Sequence, residues 1–594
     1  SRPTDIIRMD AQGGPATLVT HAMGARLPHF ARDGRLFFYS PAGVSAVPIT
    51  GDDPHVALRV LAPGLGQYFP GPTPVDEVRL SPDGKQALVK SFSQIYLLAV
   101  PPANGSAPPT IDLSAPIVAK AKLTCIGADF TDWADDGATI TWSVGSTFRR
   151  LSTAQALAAP VQGSEALAQS VALHVELPRD VPRGNLVLRG ATVIPMAGGS
   201  DALENADILI TNNRIVAIGP AGSIALPADT SVRDVRGKYI VPGFIDTHAH
   251  WFEIRRGIHD QGHWNFAANL AYGVTSALDV QPFTTDVFTY QDMIDAGMMH
   301  GPRAWSTGPG VFVNAEIHSK QDALDILTRY RDHYRTRNIK SYMIGDRAQR
   351  QYMVEAAKDL GMMPTTEGAS DMVLNLTHAI DGFSGNEHSI PISPLREDIV
   401  RLFAQSRTSY TPTIMVAYGT TPALFDFIIN RRPQDDPKFR HFVPSGIISE
   451  KLRNRRWMPP EAQSWQQIAA DAVAIQRAGG LVGIGSHGEM QGLGYQWEMQ
   501  AFAAGGATPI EALRAATIGS AEVIGHSDDV GSLEPGKFAD LLILDADPLA
   551  DIANSMKIGA VMKNGRLYDP MTLDEIWPQT TKQPDRWFAE EGGE

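Results

Sequence analysis

The sequence predicts a multidomain protein that combines a partial β-propeller, a small β-sandwich and an α/β (TIM) barrel. A similar Asp-Gly turn recurs three times within residues 1–180, and two clusters of short strands flank a long central segment. Within that segment strand-like runs, among them 411–416 and 481–486, alternate with helical stretches, which is typical of parallel α/β structure. The 594 residues are too many for a single hydrophobic core, so several folding units are expected.

Residues 1–180 are expected to form propeller blades. The turns lie at 31–34, 81–84 and 134–137, spaced by 50 and 53 residues, and each precedes an apolar strand, at 35–40, 85–90 and 138–143. Asp-Gly supplies the positive φ angles of a tight hairpin turn, and a period near 50 residues suits a propeller blade. A β-sandwich with three similar hairpins is the alternative.

The number of blades predicts a partner. Propellers generally need four to eight blades to close, and this region offers about three. We therefore expect a second chain that completes the propeller, and the N-terminal part of a cleaved precursor is one candidate. Ser1 would then be a nucleophile left by self-cleavage, although a processed terminus is the simpler interpretation.

Two separated regions, residues 181–240 and 525–575, are expected to build one composite β-sandwich. The first contains three short strands around Asn212-Asn213, and the second repeats a similar strand-rich pattern. The segment between them, 241–524, has the length of a (β/α)8 barrel with insertions, one of them at 420–465. Residues 576–594 are assigned to a C-terminal tail.

The barrel segment begins with a candidate metal-binding pair. Residues 241–250 read Val-Pro-Gly-Phe-Ile-Asp-Thr-His-Ala-His, which is a short apolar strand that ends in His248 and His250. Because residues i and i+2 of a strand share one face, both imidazoles are expected to point the same way. Two neutral imidazoles at this spacing suit one metal ion, although two histidines on a solvated face are the alternative.

Further candidate ligands follow other predicted strands. In a (β/α)8 barrel the carboxyl ends of all strands converge on one mouth. Steps of 27 and 21 residues separate the third, fourth and fifth candidates, and each step can hold one strand-helix unit. In chain order the six candidates are His248, His250, Lys340, Glu367, His388 and His487.

Composition limits the other functions. The net charge of −14 and the lack of a basic stripe argue against a nucleic-acid partner. The sequence contains no run of 18 apolar residues, so it predicts no membrane span. The single cysteine, Cys125, excludes thiolate clusters, so a metal site must use His, Asp, Glu or modified Lys. Residues 483–488 match a nucleotide-binding glycine pattern, but no βαβ unit surrounds them, and we expect these glycines to let backbone crowd the metal site.

Several motifs together resemble the amidohydrolase superfamily of metal-dependent hydrolases. Residues 241–250 match its first-strand motif, Gly273-Val-Thr-Ser its second strand and Glu387-His388 its sixth, while 508–517 and 531–541 match its C-terminal signature. The resemblance covers about residues 184–570 and is strongest to members fused behind a Tol-type β-propeller. It implies a TIM barrel of amidohydrolase type with one or two divalent ions, most typically Zn²⁺. It also implies a periplasmic or secreted location.

The family pattern places His-x-His on strand one, a carboxylated Lys on strand four, His on strands five and six and Asp on strand eight. This chain departs at two positions, because Glu367 stands for the strand-five His and His487 for the strand-eight Asp. Lys340 can therefore be a carboxylated ligand, or it can stay unmodified and pair with Glu367. His487 can act as ligand, as proton-transferring base, or as both. The resemblance makes Lys340 and His487 catalytic as well as metal-binding.

The expected function is hydrolysis of a C–N bond, in an amide, a peptide or a cyclic amide, by a metal-activated water. A lactone or ester hydrolase, and a propeller-based binding or scaffold protein with a degenerate barrel, are the alternatives. A small-molecule or peptide-like substrate is expected to meet His318, Tyr342 and Tyr418, which lie near predicted strand ends. A higher oligomer is left open.

Overall fold

A computed structural model of the chain describes residues 3–51, 54–64, 71–102, 107–158, 164–198 and 202–589. Ser1, with its predicted role as a nucleophile, lies outside these residues. The chain divides into two compact units. The first unit comprises Ser1–Glu176, Val311–Arg335 and Met343–Gly361, and the second comprises Leu177–Gly310, Thr336–Tyr342 and Met362–Glu594.

The first unit consists mainly of short strands. Its strands are β1 (Pro3–Arg8), β2 (Thr17–Met23), β3 (Arg26–Phe30), β4 (Leu36–Ser40), β5 (Gly43–Val47), β6 (His55–Ala62), β7 (Thr73–Pro74), β8 (Glu77–Leu80), β9 (Gln86–Ser91), β10 (Gln94–Ala99), β11 (Thr110–Asp112), β12 (Lys120–Lys122), β13 (Phe130–Ala134), β14 (Thr139–Val144), β15 (Thr147–Ser152) and β16 (Gln169–Ala172). One short helix, α1 (Thr153–Ala158), follows β15.

The three recurring turns each join two antiparallel strands of the first unit. They connect β3 to β4, β8 to β9 and β13 to β14, in three separate sheets. The strands after the turns begin within one residue of the predicted starts. Each turn therefore forms a hairpin, as the Asp-Gly pairs predict.

These turns also contact one another. The backbone N–H of Arg32 donates to the carbonyl of Pro82 at 2.7 Å, and the Arg32 guanidinium lies 2.5 Å from the carboxylate of Asp136. One residue from each copy of the turn thus takes part in a single set of contacts.

The second unit begins with strands that belong to its largest sheet. They are β17 (Asn185–Val193), β18 (Leu203–Thr211), β19 (Arg214–Pro220), β20 (Thr230–Asp234) and β21 (Tyr239–Pro242). The central segment then carries seven strands: β22 (Phe244–Ala249), β23 (Val274–Asp279), β24 (Arg303–Ser306), β25 (Asn338–Lys340), β26 (Met363–Thr366), β27 (Gly385–Glu387) and β28 (Ser409–Thr411).

Helices separate most of these strands. They are α2 (Trp264–Ala271), α3 (Asp286–Asp295), α4 (Lys320–Thr328), α5 (Arg347–Asp359), α6 (Met372–Asp381), α7 (Glu397–Ser406), α8 (Ala423–Arg431), α9 (Pro437–Phe442), α10 (Ser445–Arg453), α11 (Trp465–Arg477), α12 (Leu493–Ala504), α13 (Pro509–Arg514) and α14 (Ser520–Val523). Helices α4 and α5 belong to the first unit. Helices α8, α9 and α10 occupy the predicted insertion at 420–465. Within the described residues, no helix is long and apolar enough to cross a membrane.

The two regions that flank the central segment meet in one nine-stranded sheet. Its last strands are β29 (Leu541–Leu544), β30 (Ile558–Lys563), β31 (Arg566–Tyr568) and β32 (Glu575–Trp577). The order is β19-β18-β17-β21-β29-β30-β31-β32, with β20 beside β17, and β21 pairs with β29 in antiparallel register. The composite sheet thus joins residues from both sides of the central segment. Its description as a sandwich, and the predicted domain boundaries, stay predictions.

The central strands are parallel and form two groups, β22-β23-β24 and β25-β26-β27-β28. Residues 481–484 lie between β28 and β22, because Tyr410 donates its N–H to the carbonyl of Leu481 at 2.8 Å and Thr247 donates to that of Ile484 at 2.9 Å. The predicted strand at 481–486 is wrong as a regular strand, since only one bridge, Tyr410 to Val482, forms there. The glycines of this segment, and its close approach to the histidine cluster, take the place of a regular ladder of sheet hydrogen bonds.

The strand predicted over residues 411–416 is also wrong. Strand β28 ends at Thr411, and Ile414–Val416 form a 3₁₀ turn. Proline at position 412 has no N–H for a ladder, and Thr413 has a φ of 44°. The N–H groups of Ile414 and Met415 donate instead to the buried carboxyl of Glu498, at 2.6 and 2.9 Å.

Candidate metal centre

Four histidines meet at the carboxyl ends of the parallel strands of the second unit. His248 and His250 lie at and just beyond the end of β22, His388 directly follows β27, and His487 follows the 481–484 segment. The centroids of neighbouring rings in this cluster lie 4.6–5.3 Å apart. The structure therefore brings together the four histidines that the sequence selected from 16.

A carboxyl group orients the His248 ring. Its Nδ1 lies 2.6 Å from Oε2 of Glu387, whose other oxygen accepts a hydrogen bond from Thr365 at 2.5 Å. The His248 Nε2 is buried and has no hydrogen-bond partner among the described residues. When Nδ1 carries the proton, Nε2 keeps its lone pair, which is the form in which histidine binds a metal.

The His388 ring is oriented in the same sense. The Thr413 hydroxyl donates to the carbonyl of Pro412 at 2.9 Å, so Nδ1 of His388, 2.6 Å from that hydroxyl, acts as the donor. The lone pair of His388 therefore also lies on Nε2.

A carboxylate on its own loop orients the third ring, that of His487. Its Nδ1 lies 3.3 Å from Oε1 of Glu489, and Lys451 pairs with Glu489 at 2.5 Å. His388 and His487 have φ angles of 66° and 61°, a left-handed conformation that costs energy for residues other than glycine. The backbone is therefore strained at both residues, where it fixes the positions of the two rings.

One ligand atom each from His248, His388 and His487 all lie within 4.8 Å of one another, and two of these residues are buried. Converging imidazole nitrogens, one of them buried without a partner, suit a divalent cation such as Zn²⁺. The residues present fit a metal ion. The Nδ1 of His250, at the edge of the cluster, lies 3.7 Å from a carboxylate oxygen of Asp279.

Lys340 and Glu367 form a buried ion pair beside the histidines. Nζ of Lys340 lies 2.5 Å from Oε2 of Glu367, and the same oxygen lies 3.5 Å from Nε2 of His388. The Tyr418 hydroxyl donates to the other Glu367 oxygen at 3.1 Å. Burial opposes ionisation of Glu367, but Lys340, His388 and the Tyr418 hydrogen bond outweigh it and lower its pKa to about 2.

The environment keeps the imidazoles of His248, His250 and His388 neutral. Burial, and next the positive charge of neighbouring groups, lowers the pKa of His248 and of His250 well below the usual value. Burial also lowers the pKa of His388 to about 3, against the opposing effect of Glu367. Neutral imidazoles have the free lone pair that a metal ligand needs. Burial conversely raises the pKa of Glu387 to about 7.

Asp246 connects the two loops that carry the ligands. One of its carboxylate oxygens accepts the backbone N–H groups of His248 and Ser486, each at 3.0 Å. At Gly485 an added Cβ would lie 2.5 Å from Cβ of His248, and at Gly483 it would lie 2.7 Å from the Thr247 side chain. The expectation that these glycines let backbone crowd the site is confirmed.

Of the three residues predicted to contact substrate, two lie beside Lys340 or Glu367 and one lies in the other unit. Tyr418 contacts Glu367, and the Tyr342 ring centroid lies 5.6 Å from Nζ of Lys340. His318 belongs to the first unit, where it is exposed and its backbone N–H donates to Asp322 at 3.0 Å. The substrate role of all three stays a prediction.

Sequence reasoning missed the groups that orient the histidines. These are Asp246, Asp279, Glu387, Thr413 and Glu489. A signal was available for four of them, because Asp246, Glu387 and Glu489 lie within two residues of a candidate ligand and Asp279 ends the strand-like run 273–279. The contact of Thr413 with His388 joins two separate loops and has no such signal.

Comparison with known proteins supports a hydrolase. The model of the Amidohydrolase family matches residues 465–568. A 5-methylthioadenosine/S-adenosylhomocysteine deaminase from Symbiobacterium thermophilum is 24% identical over 407 residues, which span 61% of this chain and 85% of that protein. An imidazolonepropionase from Geobacillus kaustophilus is 24% identical over 401 residues, 60% of this chain and 90% of that protein.

The fold has similar solved structures. A putative prolidase from Bifidobacterium longum superposes with a TM-score of 0.51 at 21% identity, and the match covers 68% of this chain and 97% of that one. This likeness concerns the fold. The family match and the named relatives indicate that the chain is an enzyme, a metal-dependent hydrolase that acts on C–N bonds.

Proposed function

We propose that the histidine cluster, Lys340 and Glu367 form the catalytic centre of a zinc-dependent hydrolase that cleaves an amide, a peptide or a cyclic amide. One observation carries the assignment. Three separate strands or loops each contribute a histidine to the cluster: His248, His388 and His487. The Nδ1 atom of each of these histidines lies within hydrogen-bonding distance of an oxygen atom. In many enzymes, an oxygen atom that accepts a hydrogen bond from the second ring nitrogen orients a metal-ligating histidine.

The parallel strands support a (β/α)8 barrel around this centre. Seven strands and the 481–484 segment together supply eight parallel positions, and that segment hydrogen bonds to the first and the seventh strand. All ligand candidates follow or end a strand, as active-site residues do in such barrels. A barrel of amidohydrolase type accounts for this arrangement.

A bound divalent cation supplies Lewis-acid polarisation and makes water more acidic. The chain's own residues hold the reacting groups. The Nε2 lone pair of His487 is positioned to accept a proton from the attacking water and to return it to the leaving nitrogen, while Glu489 holds the ring through Nδ1. Tyr418 and Tyr342 border Lys340 and Glu367 and are suited to orient the scissile group.

The same lone pair of His487 cannot ligate a metal and accept a proton at one time. If His487 acts as the base, His487→Gln retains the metal and loses turnover; if it is a ligand, the variant loses metal as well. Metal content measured by mass spectrometry separates the two roles.

Lys340 has two states to distinguish. As a carbamate it is an anionic ligand, and as an ammonium it neutralises Glu367, which then approaches His388. The ion pair supports the second state. Loading the protein with ¹³C-bicarbonate tests it, because a carbamate gives a new carbonyl resonance that Lys340→Met removes.

For the first unit we propose an incomplete propeller that a second chain completes, the N-terminal part of a cleaved precursor being one candidate. The three similar hairpin turns and their mutual contacts support this proposal. A periplasmic or secreted location rests on the resemblance to propeller-bearing hydrolases. Purification of the chain from its source, followed by identification of co-purifying polypeptides, tests the partner.

A substrate panel tests the function. Zinc-loaded protein is assayed on amides, dipeptides, lactams and lactones, and we expect hydrolysis of one C–N class, with lactone turnover as the competing result. His248→Ala should lose both metal and activity. His174→Ala is the matched control, since His174 is exposed and lies in the first unit. A folded protein that binds no metal and hydrolyses nothing overturns the proposal.

A further inference from the structure

A second polar site lies in the second unit, apart from the histidine cluster. It is a cavity of about 170 Å³. The segment between α3 and β24 forms one wall, so the cavity lies towards the amino end of β24, whereas the histidines follow the carboxyl ends of the strands. Its polar lining consists of Asn564, whose side chain donates to the carbonyl of Asp180, and of Asp180, His300, Lys563, Arg566, Tyr568 and Glu575.

Both carboxylates in the wall are already paired. Arg566 donates to the two oxygens of Asp180, each at 2.8 Å, and to those of Glu575 at 2.8 and 3.0 Å. One guanidinium thus uses its donors on two acids.

Two donors in the same wall have no partner. Lys563 is 7% exposed and Tyr568 is 4% exposed. Among the described residues, neither the Lys563 ammonium nor the Tyr568 hydroxyl makes a hydrogen bond or ion pair, yet neither atom is sealed from open space. Both residues line the cavity. A buried ammonium without a direct ion-pair partner is costly, so a ligand that supplies one is stabilised.

We propose that this cavity binds a small monoanionic carboxylate, whose oxygens accept hydrogen bonds from Nζ of Lys563 and from the Tyr568 hydroxyl. The charged residues of the wall determine which charge the bound anion should carry. Asp180 and Glu575 lie in the same wall, so a dianion meets more repulsion from these acids than a monoanion does. The volume of about 170 Å³ is well above the roughly 10–15 Å³ that holds one water, which leaves room for an acid of a few carbons.

The electrostatics of Lys563 agree with this ligand. Burial, and next the charge of Arg303, lowers the pKa of Lys563 to about 8, against the opposing effect of Asp540, Asp295 and Asp180. A carboxylate beside Nζ would stabilise the ammonium in the same way as these acids do. His300, which lines the same cavity, is neutral at pH 7 because burial lowers its pKa to about 4.

Calorimetric titration of the full chain with sodium acetate and propionate at constant ionic strength tests the site. The titration is performed on metal-free and on zinc-loaded protein, since a carboxylate that binds only the loaded protein occupies the metal centre instead. We expect saturable binding of one acetate in both forms. Binding that requires zinc, or no saturable binding in either form, overturns the proposal.

Variants identify the residues. Lys563→Met should weaken acetate binding at least 100-fold, and Tyr568→Phe, which removes one oxygen atom, should weaken it about tenfold. Lys557→Met is the matched control, because Lys557 is exposed beside the same strand. Circular dichroism and hydrolase activity verify folding. Where Lys563→Met does not fold, Tyr568→Phe decides: unchanged acetate affinity overturns the proposal, as does tighter binding of inorganic phosphate than of acetate.

Discussion

The Lys340 ammonium lies 2.5 Å from the Glu367 carboxylate, and both side chains are at least 94% buried. A metal-binding lysine would have to lose its positive charge, whereas here a carboxylate compensates that charge directly. The exchange of a histidine for Glu367 therefore changes the chemistry expected of Lys340. The two residues act as one unit beside the cluster.

The buried pair predicts strong coupling between its members. In chelated protein, Glu367→Gln and Lys340→Met should each lower the free energy of unfolding by about 3–5 kcal/mol, because each leaves a buried charge unpaired. The double variant should cost clearly less than the sum. Urea unfolding measures this cycle, and Glu397→Gln at the exposed Arg401–Glu397 pair is the control with little expected effect. Additive single effects would contradict a direct pair.

The Thr413 hydroxyl should tune metal affinity through His388. Thr413→Val keeps the shape but removes the acceptor of the His388 Nδ1 proton, so we expect zinc to bind about 10–100-fold more weakly. Competition with a chelator measures this change. Thr377→Val is the control, since the Thr377 hydroxyl only donates to a carbonyl of its own helix. Equal affinities in the two variants would show that Thr413 does not orient a ligand.

Gly485 should not tolerate a side chain. Its substitution by alanine puts Cβ 2.5 Å from Cβ of His248, so the ligand must move, and zinc content and activity should both fall at least tenfold. Gly446→Ala is the control, because a Cβ there meets nothing within 4 Å and lies in helix α10. The control should gain up to about 1 kcal/mol of stability. Full zinc content in Gly485→Ala would disprove the close approach.

Two histidines outside the metal centre predict acid sensitivity. Burial lowers the pKa of His300 and of His526 to about 4, from 6.5 in the unfolded chain. Between these pH values the unfolded chain binds protons that the folded chain does not, so stability is complete above pH 6.5 and falls as the pH drops towards 4. Each residue should contribute about 1–3 kcal/mol to this loss.

Urea unfolding of chelated protein at pH 7 and pH 4.5 measures the effect. His526→Gln should make the loss smaller, since one titrating group is removed from its stack on Trp305. His174→Ala, at an exposed position, should leave the loss unchanged. An identical pH dependence in wild type and His526→Gln would refute the assignment.

Local chemistry made much of the molecule predictable. The Asp-Gly turns predicted three hairpins, because positive φ angles with flanking apolar residues specify a turn without distant contacts. The spacing of His248 and His250 predicted a shared face for the same reason. His388 follows a strand and His487 follows the irregular 481–484 segment, and both lie in the cluster as expected, since parallel strands bring their carboxyl ends together.

Only the tertiary structure decided how these groups are held. Glu387, Thr413 and Glu489 orient three imidazoles across distances in sequence that no local pattern encodes, apart from the two-residue step from His487 to Glu489. The strand expected at 411–416 broke because Glu498, more than 80 residues away, accepts its N–H groups. The sequence alone determined which residues could bind a metal; burial and long-range hydrogen bonds determined which nitrogen each histidine presents, because both depend on neighbours that only the folded chain provides.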